Sequence, residues 1–492
     1  MSENCWWQDI RSLSVRTKGL VGEAREQMEG ALRDDEGPRV LEAVETFFRA
    51  LDHPRAVCAL LALSHPHAQV RREAKALHRD LLGCLHGILS DSRLYSALAE
   101  SAFGPEASER EAARIRGIDL ALHHGADRGA LEREAASTLR DAIARLIGVY
   151  RHNLTLASTR LPPRSAHRLR EIGLPDSTLS KAIEEETGHL RLPQGVAEEL
   201  LRHCEDEQTR RDTWMALRDR GWPDNGPVIE ALIEARHELA EVMNAPDWAH
   251  LEYRGAESAT LAATEKLLSD VEAIVRPLQD KVLEGLTEAF GTQATRPWNL
   301  LFSREAMFTD AAPCAQASPE ALFEVARGYL ECALSWRIGP VKGASIWATG
   351  VQVWEVVMAE GERGRLYLDT LPRAGKGAHF RTMKVRTGIV DEALPEVAIL
   401  ASMPRDEPLT HADVRAFFHE LGHAIEHLCA SGSAWGLLNG LSEVRAEAEL
   451  APHLFEAIAW RSDLMSALGW RGEAQDILRR RDTCARPYRV MR

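Results

Sequence analysis

The chain has 492 residues, 45% of them hydrophobic and 27% charged, which is the composition of a globular protein with a large core and, by length, roughly two to four domains. Its formal net charge of −14 excludes a dominant basic field for nucleic acid, and no apolar run reaches the ~18 residues a membrane span needs. The opening MSENCWWQDIR has neither the basic nor the apolar region of a signal peptide, so a cytoplasmic protein with no membrane and no nucleic-acid partner is expected.

The first two hundred residues read as successive helices. RVLEAVETFFRALDH, VRREAKALHRDLLGCLHGIL, LEREAASTLRDAIARLIGVYRHNL and VAEELLRHCEDEQTRRDTWMAL repeat apolar residues at spacings of three and four. Pro and Gly punctuate the gaps between them. No fixed-period repeat marks a solenoid. A boundary near residue 200 divides an N-terminal helical lobe, 1–200, from a second lobe, 201–492, which carries the chemistry described below. Two more helices follow, VIEALIEARHELAEVMN and TEKLLSDVEAIVRPLQDKVLEGLTEAF. Then, between about Gly339 and Asp369, Val, Ile, Trp and Gly dominate, and WATGVQVWEVVMAEGERGRLYLDTL reads as short strands turning at Glu360–Gly364. The fold class expected is mainly α with a small β region near residues 345–370. The eight cysteines form no CxxC pair and read as buried free thiols.

The segment from Leu409 to Cys429 carries the clearest chemistry. Thr410 and Asp413 have the spacing of a capping box. Val414, Phe417, Phe418, Leu421, Ile425 and Leu428 then fall on one helical face, and His419 and His423 point away from it. Two imidazoles at i and i+4 stand side by side, as zinc requires of nitrogen ligands about 2.0–2.1 Å away. Glu420 sits where it can act on a water held by the metal. His427, one turn on, reads as an exposed histidine or a partner of a ligand rather than as a ligand. A third protein ligand is needed, and GLSEVRAEAELAPHLFEAIAW offers Glu443, Glu447 and Glu449.

HELGHAIEH and its surroundings resemble the thimet oligopeptidase family of zinc metallopeptidases. In that family a second helix carries a Glu ligand about twenty-five residues after the second His, with another Glu seven residues later. Glu449 lies 26 residues after His423, and Leu454, Phe455 and Glu456 match the downstream spacing. Glu447 remains the rival. Glu456 itself reads as more often solvated than as a partner of a ligand. Upstream, Gly364-Arg-Leu-Tyr-Leu-Asp-Thr-Leu-Pro-Arg-Ala-Gly-Lys-Gly-Ala-His379 closely resembles the family segment G-x-x-Y-L-D-x-x-x-R-x-G-K, with Lys376 one of only eight lysines. The resemblance implies a two-lobed helical zincin-type fold with a deep channel. It implies one Zn2+ per chain held by His419, His423 and Glu449, with Glu420 catalytic and short peptides as substrates.

After Glu456 the resemblance ends, and residues 457–492 do not show the glycine-rich loop with the His and Tyr residues that the family uses on substrate. This leads to the expectation of weak cleavage and an uncovered Leu450/Leu454/Ile458 face. It also leads to that of self-association or a partner chain over the shortened lobe. The alternatives are a pseudo-peptidase that binds zinc and peptides or a partner without turnover, and a truncated remnant without stable function.

Overall fold

The computed structural model describes residues 10–34, 37–100, 108–157, 159–161, 190–192, 194–253, 261–307, 314–315, 317–377, 380–403, 405, 409–440 and 449–470. The chain forms two compact units, one of Met1–Gly129, Arg254–Ala259 and Ala312–Ile477, the other of Ala130–Tyr253, Thr260–Ala311 and Leu478–Arg492. These units do not divide at residue 200. The described part of the first unit breaks off at Gly129 and resumes after Ala312, because the late β region buries one face on the first helices.

Those helices are α1 (Ile10–Asp34), α2 (Gly37–Ser64), α3 (Ala68–Leu89), α4 (Ser92–Glu100) and α5 (Ser108–His123). Each buries a stripe at helical spacing; α1 does so with Leu13, Thr17, Val21, Ala24, Met28 and Leu32. In the second unit come α6 (Ala130–Leu156), the antiparallel pair β1 (Thr159–Leu161) and β2 (Leu190–Leu192), α7 (Gln194–His203), α8 (Glu207–Arg218), α9 (Gly226–Val242), α10 (Trp248–Glu252), α11 (Leu261–Phe290) and α12 (Leu300–Ala306). Its core gathers Ile143 of α6 with Leu239 of α9 and Met243. Buried Arg210 is satisfied there by Asn299 Oδ1 and the Cys204 carbonyl.

The first unit resumes with β3 (Cys314–Ala315), α13 (Pro319–Leu334), β4 (Arg337–Pro340), β5 (Gln352–Val357), β6 (Arg363–Asp369), β7 (Arg381–Arg386), β8 (Glu396–Leu400), β9 (Leu409–Thr410), α14 (His411–Cys429), α15 (Leu450–Ile458) and α16 (Ser462–Ala467). Strands β4 to β8 form a five-stranded sheet in the order β4-β5-β6-β8-β7, with only the β6/β8 pair parallel. The mainly helical class holds, with a sheet that reaches from residue 337 to 400, well past 345–370. The turn between β5 and β6 falls at Met358–Glu362, where Gly361 takes φ +100°.

Strand periodicity explains why this sheet is the centre of the unit. Alternate residues point to opposite faces. Tyr367, Ala398 and Leu400 enter the core shared with α1–α4, whereas Leu366, Leu368, Val397 and Ile399 enter the core shared with α13 and α14. Every residue of β8 is buried, as a central strand covered on both faces should be.

The G-x-x-Y-L-D-x-x-x-R-x-G-K segment is a structural tie. Asp369, 1% exposed, accepts from Trp347 Nε1 at 2.9 Å, Arg373 Nη1 at 2.5 Å and Lys376 Nζ at 2.8 Å. Burial alone would push its carboxyl up, but Arg373 and Lys376 outweigh burial and hold it below the usual carboxylate range. Arg373 Nε also donates to the Ser64 carbonyl at 3.0 Å, fastening the end of β6 to the end of α2. His379 lies outside the described residues. No helix among those described is long and apolar enough to cross a membrane.

Candidate metal centre

Helix α14 starts with the capping box its sequence announces: Asp413 N–H donates to Thr410 Oγ1 at 3.2 Å, and Thr410 N–H to Asp413 Oδ2 at 2.9 Å. Val414, Phe417, Phe418, Leu421, Ile425 and Leu428 are all buried. Against that face, the His419 and His423 side chains keep 25% and 18% exposure. Their ring centroids are 5.0 Å apart.

The third group arrives from α15. Glu449 precedes its first turn, with Oε2 3.4 Å from His419 Nε2 and Oε1 3.7 Å from His423 Nε2. One ligand atom from each of these three residues lies within 4.8 Å of the others. Gly422 makes this approach possible. A Cβ there would stand 2.5 Å from Pro452 Cα and 2.8 Å from the Ala451 carbonyl oxygen, so the two helices meet backbone to backbone. Glu443 and Glu447 lie outside the described residues.

Glu456 corrects the sequence reading. It is 4% exposed, not solvated. Its Oε1 accepts from Arg415 Nε at 2.9 Å and Nη2 at 2.5 Å, and its Oε2 lies 3.7 Å from His419 Nδ1. Seven residues are two helical turns, so Glu456 shares the face of Glu449 that packs on α14. Leu450 and Leu454, on the stripe the sequence suggested, are 66% and 62% exposed. The face α15 buries instead carries Pro452 and Glu456.

The neighbouring Glu456 carboxylate raises the His419 pKa, while burial lowers that of His423 and favours its neutral, ligand-competent form. Glu420 touches the sheet edge: its Oε2 accepts from Thr382 N–H at 2.5 Å, and its own carbonyl accepts from Thr382 Oγ1 at 2.7 Å. His427 is fully buried rather than exposed. Its Nε2 pairs with the Arg386 carbonyl at 2.9 Å, and burial pushes its pKa down to about 4.

Arg415, Thr382 and His453 were not singled out by the sequence reading. Arg415 stands one turn before His419 in the same i, i+4 row, a signal that was available. His453, with Nδ1 3.6 Å from Glu456 Oε2, forms a second His/Glu group that shares His419. Nothing in the sequence near Thr382 marks it; strand pairing alone brings it to α14.

The chain is similar to several known peptidases. Oligopeptidase A of Salmonella typhimurium is 23% identical over 347 residues, covering 62% of this chain and 50% of that protein. The mitochondrial intermediate peptidase of Arabidopsis thaliana is 24% identical over 331 residues, 62% of this chain and 44% of that one. The chain therefore spans about half the length of these curated relatives. The solved structure of PZ peptidase A with inhibitor 2 shares the fold at a TM-score of 0.57 and 12% identity, over 96% of this chain and 71% of that one. The model of peptidase family M3 matches residues 200–478, more than half of the sequence and all of the site just described. By that match the chain belongs to peptidase family M3.

Proposed function

We propose that the chain is a zinc-dependent oligopeptidase that hydrolyses peptide bonds in short peptides, with one zinc held by His419, His423 and Glu449 and with Glu420 as general base. The observation that carries this reading is the convergence of two imidazoles and a carboxylate, with Glu420 adjoining the first imidazole. The donor chemistry fits the metal: a His2Glu set is a known catalytic zinc set that leaves one position open. The surroundings fit too, since Glu456, clamped by Arg415, faces the other ring nitrogen of His419, the kind of partner that fixes a ligand's tautomer and orientation. A bound zinc would supply Lewis acidity and a water of lowered pKa.

The remaining steps belong to the chain's own groups. Thr382 N–H holds the Glu420 carboxylate through Oε2, and proton transfer falls to Oε1. Glu420 takes a proton from the attacking water and returns it to the leaving amine. Among the described residues strand β7 has a strand partner on one side only, so its other edge can align an extended peptide backbone beside Glu420.

The test is metal analysis and peptide turnover on purified protein, with and without added zinc. Zinc should be present at one per chain and be lost in His419→Ala and Glu449→Ala. Glu420→Gln should keep the metal and lose about 10³-fold in rate, within the range that general acid–base catalysis supplies. Absence of zinc above background, or turnover unchanged in Glu420→Gln, would sink the reading.

A further inference from the structure

A cavity of about 460 Å³ in the first unit begins at Thr382, the residue that bonds Glu420, and runs along Met383 and Lys384 of β7 to α2, α3 and α5. Its charged and titratable lining consists of Arg55, Arg116, Lys384, His78, His123 and His124, and among the described residues no Asp or Glu lines it. Phe48, Leu85 and Leu437 form apolar wall. Farther along β7 the strand edge is covered: His53 Nδ1 lies 2.8 Å from the Val385 carbonyl, and Thr387 N–H donates to Asp52 at 3.2 Å. Before that covered stretch, from Thr382, whose N–H meets Glu420, through Met383 and Lys384, the strand lines the cavity.

The cations differ in what they already hold. Lys384 Nζ is paired with Asp52 at 2.5 Å. Arg55, half-buried one turn from Asp52 on α2, pairs through its carbonyl with His78 Nδ1 at 3.1 Å, but its guanidinium makes no hydrogen bond or ion pair with a described residue and acts on Asp52 only through space. A half-buried guanidinium offers a planar fork of donors suited to a carboxylate. Strand residues advance about 3.3 Å each, so a peptide added to the edge at Thr382 reaches the cavity within two residues.

We infer that this cavity is a carboxylate-binding subsite, with Arg55 as its principal anchor, that selects peptides bearing an acidic side chain or a free C-terminus near the scissile bond. The inference rests on the peptidase reading above but concerns binding, which can be measured without turnover. The lining carries positive charge to complement the ligand and apolar wall to take its methylenes. The aligned backbone would supply affinity, and the carboxylate pocket selectivity.

The experiment measures binding of fluorescent peptides to the zinc-loaded full chain with Glu420→Gln, so that none is cleaved. One parent peptide is made neutral, with Gln and a C-terminal amide. Two relatives each restore one carboxylate, as a Glu side chain or as the free C-terminus, and a fourth carries Lys in place of Gln. At least one carboxylate peptide should bind about tenfold tighter than the parent, the scale of one charge-assisted hydrogen bond, and the Lys peptide should bind more weakly. Which relative gains identifies the source of the carboxylate. Arg55→Met should remove the advantage and leave parent binding unchanged, and Arg55→Lys should keep part of it. Equal affinities across the four peptides, binding by none, or an advantage that survives Arg55→Met would overturn the inference. Discrimination without turnover by the wild-type chain would sink only the peptidase reading; turnover without discrimination would sink only this one.

Discussion

Helices α14 and α15 meet at Gly422 and hold the candidate site between them, yet their buried faces follow opposite logic. In α14 the hydrophobic stripe is the buried face, with Phe417 and Phe418 at 0% exposure, and the histidines look away from it. In α15 the leucines look outward and Glu456 looks in. A 19-residue helix with a capping box and five turns of apolar spacing fixes its own orientation, because turning it would expose many large side chains. A 9-residue helix has little such leverage, and its face is set by what it docks on. Here that is a glycine notch, an arginine and an imidazole.

This contrast can be broken most forcefully at Glu456. Glu456→Ala would leave Arg415, 18% exposed, without its carboxylate and His419 without its partner. We expect a stability loss of roughly 4 kcal/mol, the scale for breaking a buried ion pair, and zinc affinity reduced by about tenfold or more. Denaturant unfolding and a zinc titration check both. A neutral result would mean that α15 is held by its leucines after all.

The next effect belongs to the buried histidine on α14. The His427 pKa is pushed down to about 4 from 6.5 in the fold. As pH falls through that window the unfolded chain takes up a proton that the folded chain refuses, so stability is full above 6.5 and declines toward 4. The loss should approach about 3 kcal/mol at the acid end. Urea unfolding of the metal-free chain at about pH 7 and about pH 4.5 measures it, and His427→Gln should give a shallower slope. Equal slopes would show that the imidazole is not what resists protonation.

Gly422→Ala tests the notch itself. Helix propensity favours Ala, but the added Cβ would stand 2.5 Å from Pro452 Cα. Steric displacement should win, costing about 2 kcal/mol and weakening zinc as Glu449 moves. Gly83→Ala in α3, where a Cβ meets nothing within 4 Å, should instead stabilise by about 0.5–1 kcal/mol. Thermal unfolding of the two variants should shift in opposite directions.

The smallest expected effect is at the outward face of α15. Leu454→Gln should change stability by no more than about 0.5 kcal/mol, as surface substitutions do. A loss of several times that size would show the leucine to be covered in solution, for instance by a second copy of the chain, which sedimentation would reveal.

Much of the site could be read from residues close in sequence. The Thr410/Asp413 cap, the apolar stripe and the 419/423 spacing are all local, and each is present in the structure. The sheet was legible only in part. The run Glu396–Leu400 has no alternation because both its faces are covered, and such a run cannot be told from buried helix by periodicity alone. Arg381–Arg386, charged at both ends, does not read as a strand until β8 pairs with it.

The sequence alone determined the helical class, the position and face of α14, and a choice of acidic residues to approach it, because a helix's geometry turns spacing directly into direction. It could not determine that Glu456 would be buried, that His427 would be enclosed, or that Thr382 would hold Glu420. Those depend on contacts 38 to 41 residues apart, between separate elements. Only tertiary structure decided them, because whether a polar group is solvated or enclosed is set by what packs over it, and no local spacing encodes that cover.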